Sequence, residues 1–115
     1  MRRRRRCATS TQVWSAELAA DAVTVNSISP GWVSTQMTET GLVGELSRRG
    51  GVAAERARAE LLDGLPQGRM IEPGEIAAAV RWLLSEDAAS MTGADLLLDG
   101  GLTTSLGFAN LLRLG

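Results

Sequence analysis

Two strand-like runs lie far apart in the chain, VTVNSIS at 23–29 and ADLLLD at 94–99, with helix-forming sequence between them. That order narrows the possible folds more than any other feature of the 115 residues. The first run is rich in β-branched residues and stops at Pro30-Gly31; the second is apolar and is closed by Gly100-Gly101. Apolar runs without clean alternation suit strands covered on both faces, as in parallel sheets, and parallel neighbours need a crossover connection. The expectation is a pair of adjacent parallel strands near 23–29 and 94–98, joined by a right-handed crossover that contains a helix at 73–86. Two strands make only part of an α/β sheet.

The helical patterns around these strands are legible. In TSTQVWSAELAAD, 9–21, Thr9 and Gln12 have capping-box spacing, and Val13, Trp14, Leu18 and Ala19 approximate one apolar face. Residues 35–49 predict partial helix, broken by Gly50-Gly51, and VAAERARAELLD at 52–63 consists of strong helix formers. EPGEIAAAVRWLLSED gives the clearest helix. Pro73 suits its first position, Glu75 its positive end, and Ile76, Ala79, Val80, Leu83 and Leu84 line one face. Three segments are expected: an Arg-rich disordered N-terminus at 1–8, a folded body at 9–101 and a tail at 102–115. The tail's Leu102, Leu106, Phe108, Leu111 and Leu112 would add apolar contact area.

What the composition lacks excludes several chemistries. There is no His and no Tyr, and all twelve basic residues are Arg. Histidine acid–base catalysis and a lysine Schiff base are therefore excluded. Cys7 alone forms no internal disulfide and, without His or a second Cys, no zinc site, so no metal is expected. The run Arg2–Arg6 is not followed by the apolar stretch of a secretory signal, since Gln12, Glu17 and Asp21 come next. No window reaches the length of a membrane-spanning helix, and a cytoplasmic chain with no membrane partner is expected. The other arginines are scattered among acids and the net charge is -1, so nucleic acid is not an expected partner.

Other residues have simple readings. Trp14, Trp32 and Trp82 read as packing residues rather than a stacking platform. Asp99, before Gly-Gly, reads as a turn former, and Glu55, Arg58 and Glu60 as a solvated helix face. Ser34, Thr35 and Thr38 offer hydroxyls without a base, so no catalytic residue is assigned.

The order of motifs carries a resemblance. AELAADAVTVNSISPGWVSTQM followed by GRMIEPGEIAAAVRWLLSEDAASMTGADLLLDGG resembles the C-terminal part of the short-chain dehydrogenase/reductase family. The likeness runs from about Val13 to Gly101 and rests on Asn26, Pro30-Gly31, Thr35, Pro73-Gly74-Glu75-Ile76-Ala77, Thr92-Gly93 and Asp99-Gly100-Gly101. It implies the C-terminal βαβ portion of a doubly wound parallel sheet, a partial Rossmann-like α/β fold of two strands with flanking helices. It also implies NAD or NADP as cofactor. In the family the loop after Pro-Gly reaches the nicotinamide end, which assigns cofactor binding to Pro30, Gly31, Val33 and Thr35. The position of Val33 offers backbone N–H and C=O to the carboxamide; that of Thr35 offers a hydroxyl to the carboxamide or the pyrophosphate. Such a loop lies beyond the carboxyl end of a parallel strand, where open α/β sheets bind ligands.

The resemblance also implies parts that this sequence does not show. The family's Gly-rich phosphate turn follows its first strand, and its catalytic Tyr precedes a Lys by four residues, the Lys lowering the Tyr pKa. The Lys position falls on or near Arg4 and the Tyr just before Met1. The sequence is thus expected to begin directly after the catalytic Tyr, with Arg4 keeping the charge but not the compact ammonium. The expected function is a truncated NAD(P)-dependent oxidoreductase fragment that keeps the nicotinamide-side loop and is inactive alone. The alternative is a non-catalytic interaction module, a homo- or hetero-oligomer with family members through helices 9–21 and 73–86 and strand 94–98. A nucleic-acid-binding peptide led by Arg2–Arg6 comes third, and salt-dependent binding would reveal it. Two local consequences follow. Ala22 stands where the family usually has Gly, at a cost of about 1 kcal/mol if that turn needs positive φ. The 23–29 strand would also keep one unpaired edge beside Val23, Val25 and Ile28.

Overall fold

A computed structural model describes residues 2–104, with side chains from Ser10 onward. In chain order the elements are α1 (Arg2–Leu18), a 3-10 turn (Ala19–Asp21), β1 (Ser27–Pro30), a π-helical turn (Met37–Leu42) and α2 (Val43–Gly50). There follow α3 (Ala54–Asp63), α4 (Pro73–Leu83), a second 3-10 turn (Glu86–Ala88) and β2 (Asp95–Leu98). The chain divides into two compact units, one of Met1–Pro30 with Gly74–Leu98 and the other of Gly31–Pro73 with Asp99–Gly115.

The first unit holds the sheet. β1 and β2 are parallel neighbours, with Ser27 opposite Asp95 and Pro30 opposite Leu98. This is the α/β arrangement expected from the order of the two runs. β1 is shorter than the expected 23–29, for a local reason. The Val25 N–H donates to Thr92 Oγ1, and the Val25 carbonyl accepts from Gly93 N–H at 2.8 Å. The Asn26 side chain donates to Met91 O and accepts from Ala94 N–H. These bonds tie 25–26 to the Thr92-Gly93 turn without a regular ladder, which begins where Ser27 N–H reaches Ala94 O. The Ser27 and Ser29 hydroxyls both donate to the Asp95 carboxylate, so one face of the pair is polar.

α1 begins at Arg2 and not at Thr9, so the segment expected to be disordered is helical, and Thr9 and Gln12 lie inside the helix rather than capping it. Arginine is among the better helix formers, although the first turn carries no acidic residue. α4 starts at Pro73 as expected, but none of its residues is buried. Trp14 is 57% exposed, Trp82 43% and Leu84 81%. Of the three tryptophans expected to pack, Trp14 and Trp82 are therefore largely uncovered among the described residues, because a two-stranded sheet offers little surface to cover them, and Trp32 is 37% exposed. The rest of the tail, from 105 to 115, lies outside the described residues.

Ala22 closes the 3-10 turn with φ 58° and ψ 29°, in the left-handed region. A Cβ there crowds the following carbonyl, so Ala22→Gly is expected to stabilise the chain by about 1 kcal/mol. A urea denaturation midpoint that fails to rise would show that the turn relaxes at no cost.

The second unit carries the better core. Val43, Ala57 and Met70 are buried together, with Val52, Leu61 and Leu62 packed against them. α2 ends at Gly51, whose N–H donates to Ser47 O, and α3 then folds back against it. The chain from 64 to 73 closes beneath this pair and brings Ile71 to the loop that follows β1.

Candidate functional site

Gly31 opens the second unit directly after Pro30, the last residue of β1. The next residues run beside Ile71 as an isolated parallel bridge centred on Val33. Ile71 N–H donates to Trp32 O and Ser34 N–H donates to Ile71 O, both at 2.8 Å. A planar trans peptide points its C=O and N–H in opposite directions, and no peptide bond here is cis. The Trp32 carbonyl faces Ile71, so the Val33 N–H on the same peptide faces away. The Ser34 N–H faces Ile71, so the Val33 C=O faces away as well. Val33 thus presents one donor and one acceptor side by side, and neither has a hydrogen-bond partner among the described residues.

Thr35 has a structural task. Its hydroxyl lies 3.4 Å from Thr38 N–H and 3.3 Å from Thr38 Oγ1, and its carbonyl accepts from Thr38 and Glu39 N–H. It begins the helical segment in the manner of an N-cap. Either hydroxyl of the Thr35–Thr38 pair can donate to the other, and where Thr38 donates the Thr35 proton is left to offer.

Ser34, between these two, is held twice. Besides its backbone bond to Ile71, its Oγ donates to Glu39 Oε1 at 3.1 Å. Glu39 also accepts from Arg58 of α3, Oε2 from Nε at 2.9 Å and Oε1 from Nη2 at 3.3 Å. Arg58 is therefore not simply part of a solvated helix face. Its hydrogen bond, ahead of the opposing effect of partial desolvation, holds the Glu39 carboxyl below its ordinary value of 4.5. The folded state lowers this pKa, so the stabilisation is complete above the ordinary value and disappears as pH falls through the lowered one. Glu39→Gln is expected to flatten that acid limb of a stability–pH profile; an unchanged limb would mean that other carboxyls carry it.

The loop needs glycine where it starts. A Cβ on Gly31 would lie 2.9 Å from both Cα and Cβ of Asp99. Asp99 is the expected turn former: its Oδ1 accepts from Gly101 N–H and its Oδ2 from Thr103 N–H, and the residue is 6% exposed. Of the four residues assigned from the sequence, the structure places Gly31, Val33 and Thr35 on one loop and Pro30 at the end of the strand before it. Ser34, Glu39, Arg58 and Ile71 were not singled out for this site. Side chains 5 and 19 residues apart meet here through tertiary folding, which no helical or strand period reveals. Among the described residues no cluster of His, Cys, Asp or Glu could hold a metal, and no helix is long and apolar enough to cross a membrane.

A parallel strand pair with flanking helices defines the fold class as α/β. The comparisons give the family. A family model described as enoyl-(acyl carrier protein) reductase matches residues 4–103. The chain is 40% identical over 92 residues to acetoacetyl-CoA reductase of Allochromatium vinosum, covering 80% of this chain and 32% of the relative. It is 41% identical over 97 residues to galactitol 2-dehydrogenase (L-tagatose-forming) of Cereibacter sphaeroides, covering 81% and 33%. A short chain dehydrogenase family protein from Francisella tularensis has a TM-score of 0.79 at 31% identity, over 85% of this chain and 40% of that one. A variant of actinorhodin polyketide ketoreductase, solved with NADPH, has a TM-score of 0.76 at 33% identity, over 84% and 36%. The chain belongs to the short-chain dehydrogenase/reductase family of oxidoreductases, with their Rossmann-type fold. It spans about a third of the length of the curated relatives it matches.

Proposed function

We propose that the loop 31–35 receives the nicotinamide end of NAD(P), and that this chain is the cofactor-side, C-terminal portion of a short-chain dehydrogenase/reductase, unable to turn over by itself. The observation that carries this reading is the Val33 peptide pair. A carboxamide displays one acceptor and two donors at its edge, and an N–H and a C=O turned to the same side match it. The Thr35 hydroxyl, two residues on, can donate when Thr38 Oγ1 is the donor of their mutual contact. Gly31 keeps the start of the loop close against Asp99. A nicotinamide cofactor, when bound, supplies hydride chemistry. The residues of this chain would orient it and exclude water from one side.

No residue of the 115 fits the acid. The sequence has no Tyr, His or Lys, and the one carboxylate beside a loop hydroxyl, Glu39 against Ser34, is paired with Arg58. Relatives of similar identity are named for an acyl thioester and for a polyol, so the shared third does not choose between substrates.

Saturation-transfer NMR of the purified 115-residue chain with NADH and NADPH tests the reading. Binding is expected to be weak, roughly millimolar, because only one end of a long ligand is held. The nicotinamide protons should receive more saturation than the adenine protons. Val33→Pro, which deletes the N–H, should abolish the effect, and Val33→Ala should keep it. Contact dominated by adenine, or measurable carbonyl reduction by this chain alone, would overturn the proposal.

A second reading rests on a different observation, the uncovered apolar surface of the first unit. Trp14, Val80, Trp82 and Leu84 are exposed, and among the described residues β1 pairs on one edge. We propose on this basis that the chain associates with a further copy or a longer family member. Sedimentation should show concentration-dependent association that Trp82→Asp weakens, and a monodisperse monomer would count against it.

A further inference from the structure

The four arginines of α2 and α3 divide sharply. Arg48, Arg49 and Arg56 each pair with a glutamate one turn away on their own helix. Such exposed pairs contribute little beyond local helix stability. Arg58 reaches instead to Glu39, and does so with two nitrogens on two oxygens. Glu39 is the better shielded partner, its side chain 29% exposed against 44% for Arg58. The same carboxylate holds the Ser34 hydroxyl.

Ser34 is the residue whose N–H shares a peptide plane with the Val33 carbonyl. Whatever fixes Ser34 fixes the direction of that carbonyl. The bond to Ile71 is one such constraint. The path Arg58–Glu39–Ser34 is a second, anchored in α3, which is itself held by buried Ala57.

We propose that Glu39 is a positioning residue for the loop. Bridged between Arg58 and Ser34, it holds the Val33 peptide pair in its outward orientation and ties the loop 31–35 to α3. The carboxylate touches no ligand in this scheme; it acts through Ser34. The effect on a nicotinamide rests on the function proposed above, whereas the effect on the loop backbone does not.

Hydrogen exchange followed residue by residue in the full 115-residue chain tests the proposal. In Glu39→Gln the Ser34 and Ile71 amides, which form the bridge, should exchange about three- to tenfold faster. The Ala57 and Leu65 amides of the same unit, bonded to Ala53 O and Leu62 O, should stay within about twofold. Arg58→Glu should act like Glu39→Gln, and the charge-swapped pair Glu39→Arg with Arg58→Glu should recover at least half of the lost protection. Uniform loosening of all four amides would mean a merely structural role and would overturn the proposal. Unchanged Ser34 and Ile71 exchange, or no recovery in the swapped pair, would overturn it too.

The NADH saturation experiment, repeated on Glu39→Gln, separates this inference from the cofactor reading. A loop response without any nicotinamide signal in the parent chain leaves the positioning role standing and defeats the cofactor assignment. A nicotinamide signal that survives intact while the loop loosens shows that the loop orientation is not what binds; it counts against the cofactor assignment and leaves the positioning role standing.

Discussion

Gly31→Ala is expected to destabilise the chain by about 2–4 kcal/mol. The new methyl would sit 2.9 Å from Asp99 Cα and Cβ and 3.1 Å from the Asp99 carbonyl oxygen. Two of these are main-chain atoms and the third is a Cβ, none of them the far end of a flexible side chain. Asp99 also has nowhere to retreat, because its carboxylate is committed to the Gly101 and Thr103 amides. The collision must be relieved by shifting the loop 31–35 or the turn 99–103. Urea denaturation would measure the loss, and on the proposed cofactor reading the nicotinamide signal should vanish with it. A change below about 1 kcal/mol would show that the Asp99 turn gives way easily, and that glycine is not what keeps the loop close.

Gly93→Ala should be nearly as costly, about 2–3 kcal/mol, and its cause can be separated into parts. Gly93 has φ 73°, and a methyl there would lie 2.8 Å from Ser15 Oγ and 3.5 Å from Ser15 Cβ. Ser15 is buried on α1 and its hydroxyl donates to Gln12 O at 2.7 Å, so it does not swing freely. In a Ser15→Ala background the hydroxyl is gone and only the backbone strain remains, on the order of 1 kcal/mol. A double-mutant cycle should therefore give a coupling of more than about 1 kcal/mol between the two positions. Additive effects would show that α1 does not press on the Thr92-Gly93 turn as described.

The elements of the sheet were legible because each carried its own chemistry. Pro73 at a helix start, Gly51 at a helix end and two apolar runs closed by Pro-Gly and Gly-Gly are local signals, and they reappear in the structure. The left-handed turn at Ala22 was legible too, as a place where a side chain sits against preference. Three things were not. The start of α1 was missed because five arginines read as a charge run, although each is a competent helix former. The shortening of β1 depends on Asn26 and Thr92, whose side chains take up backbone groups more than 60 residues away. The bridge to Ile71 and the Glu39–Arg58 pair are tertiary contacts with no period to announce them. For the loop itself, the resemblance supplied Gly31, Val33 and Thr35. What Val33 presents, two peptide groups turned the same way, needed Ile71.

Pro30 has a consequence for aggregation. The bond from Ser27 N–H to Ala94 O, with the alternation of a parallel ladder, turns Ile28 and Pro30 toward the side of β1 that has no partner strand among the described residues. Ile28 offers both an N–H and a C=O there, whereas proline has no hydrogen to give. A neighbouring strand could therefore zip along this edge for one residue and then find an acceptor with no matching donor. Fibrillar stacking needs every backbone group satisfied from layer to layer, so the proline that ends β1 limits its growth into a cross-β spine.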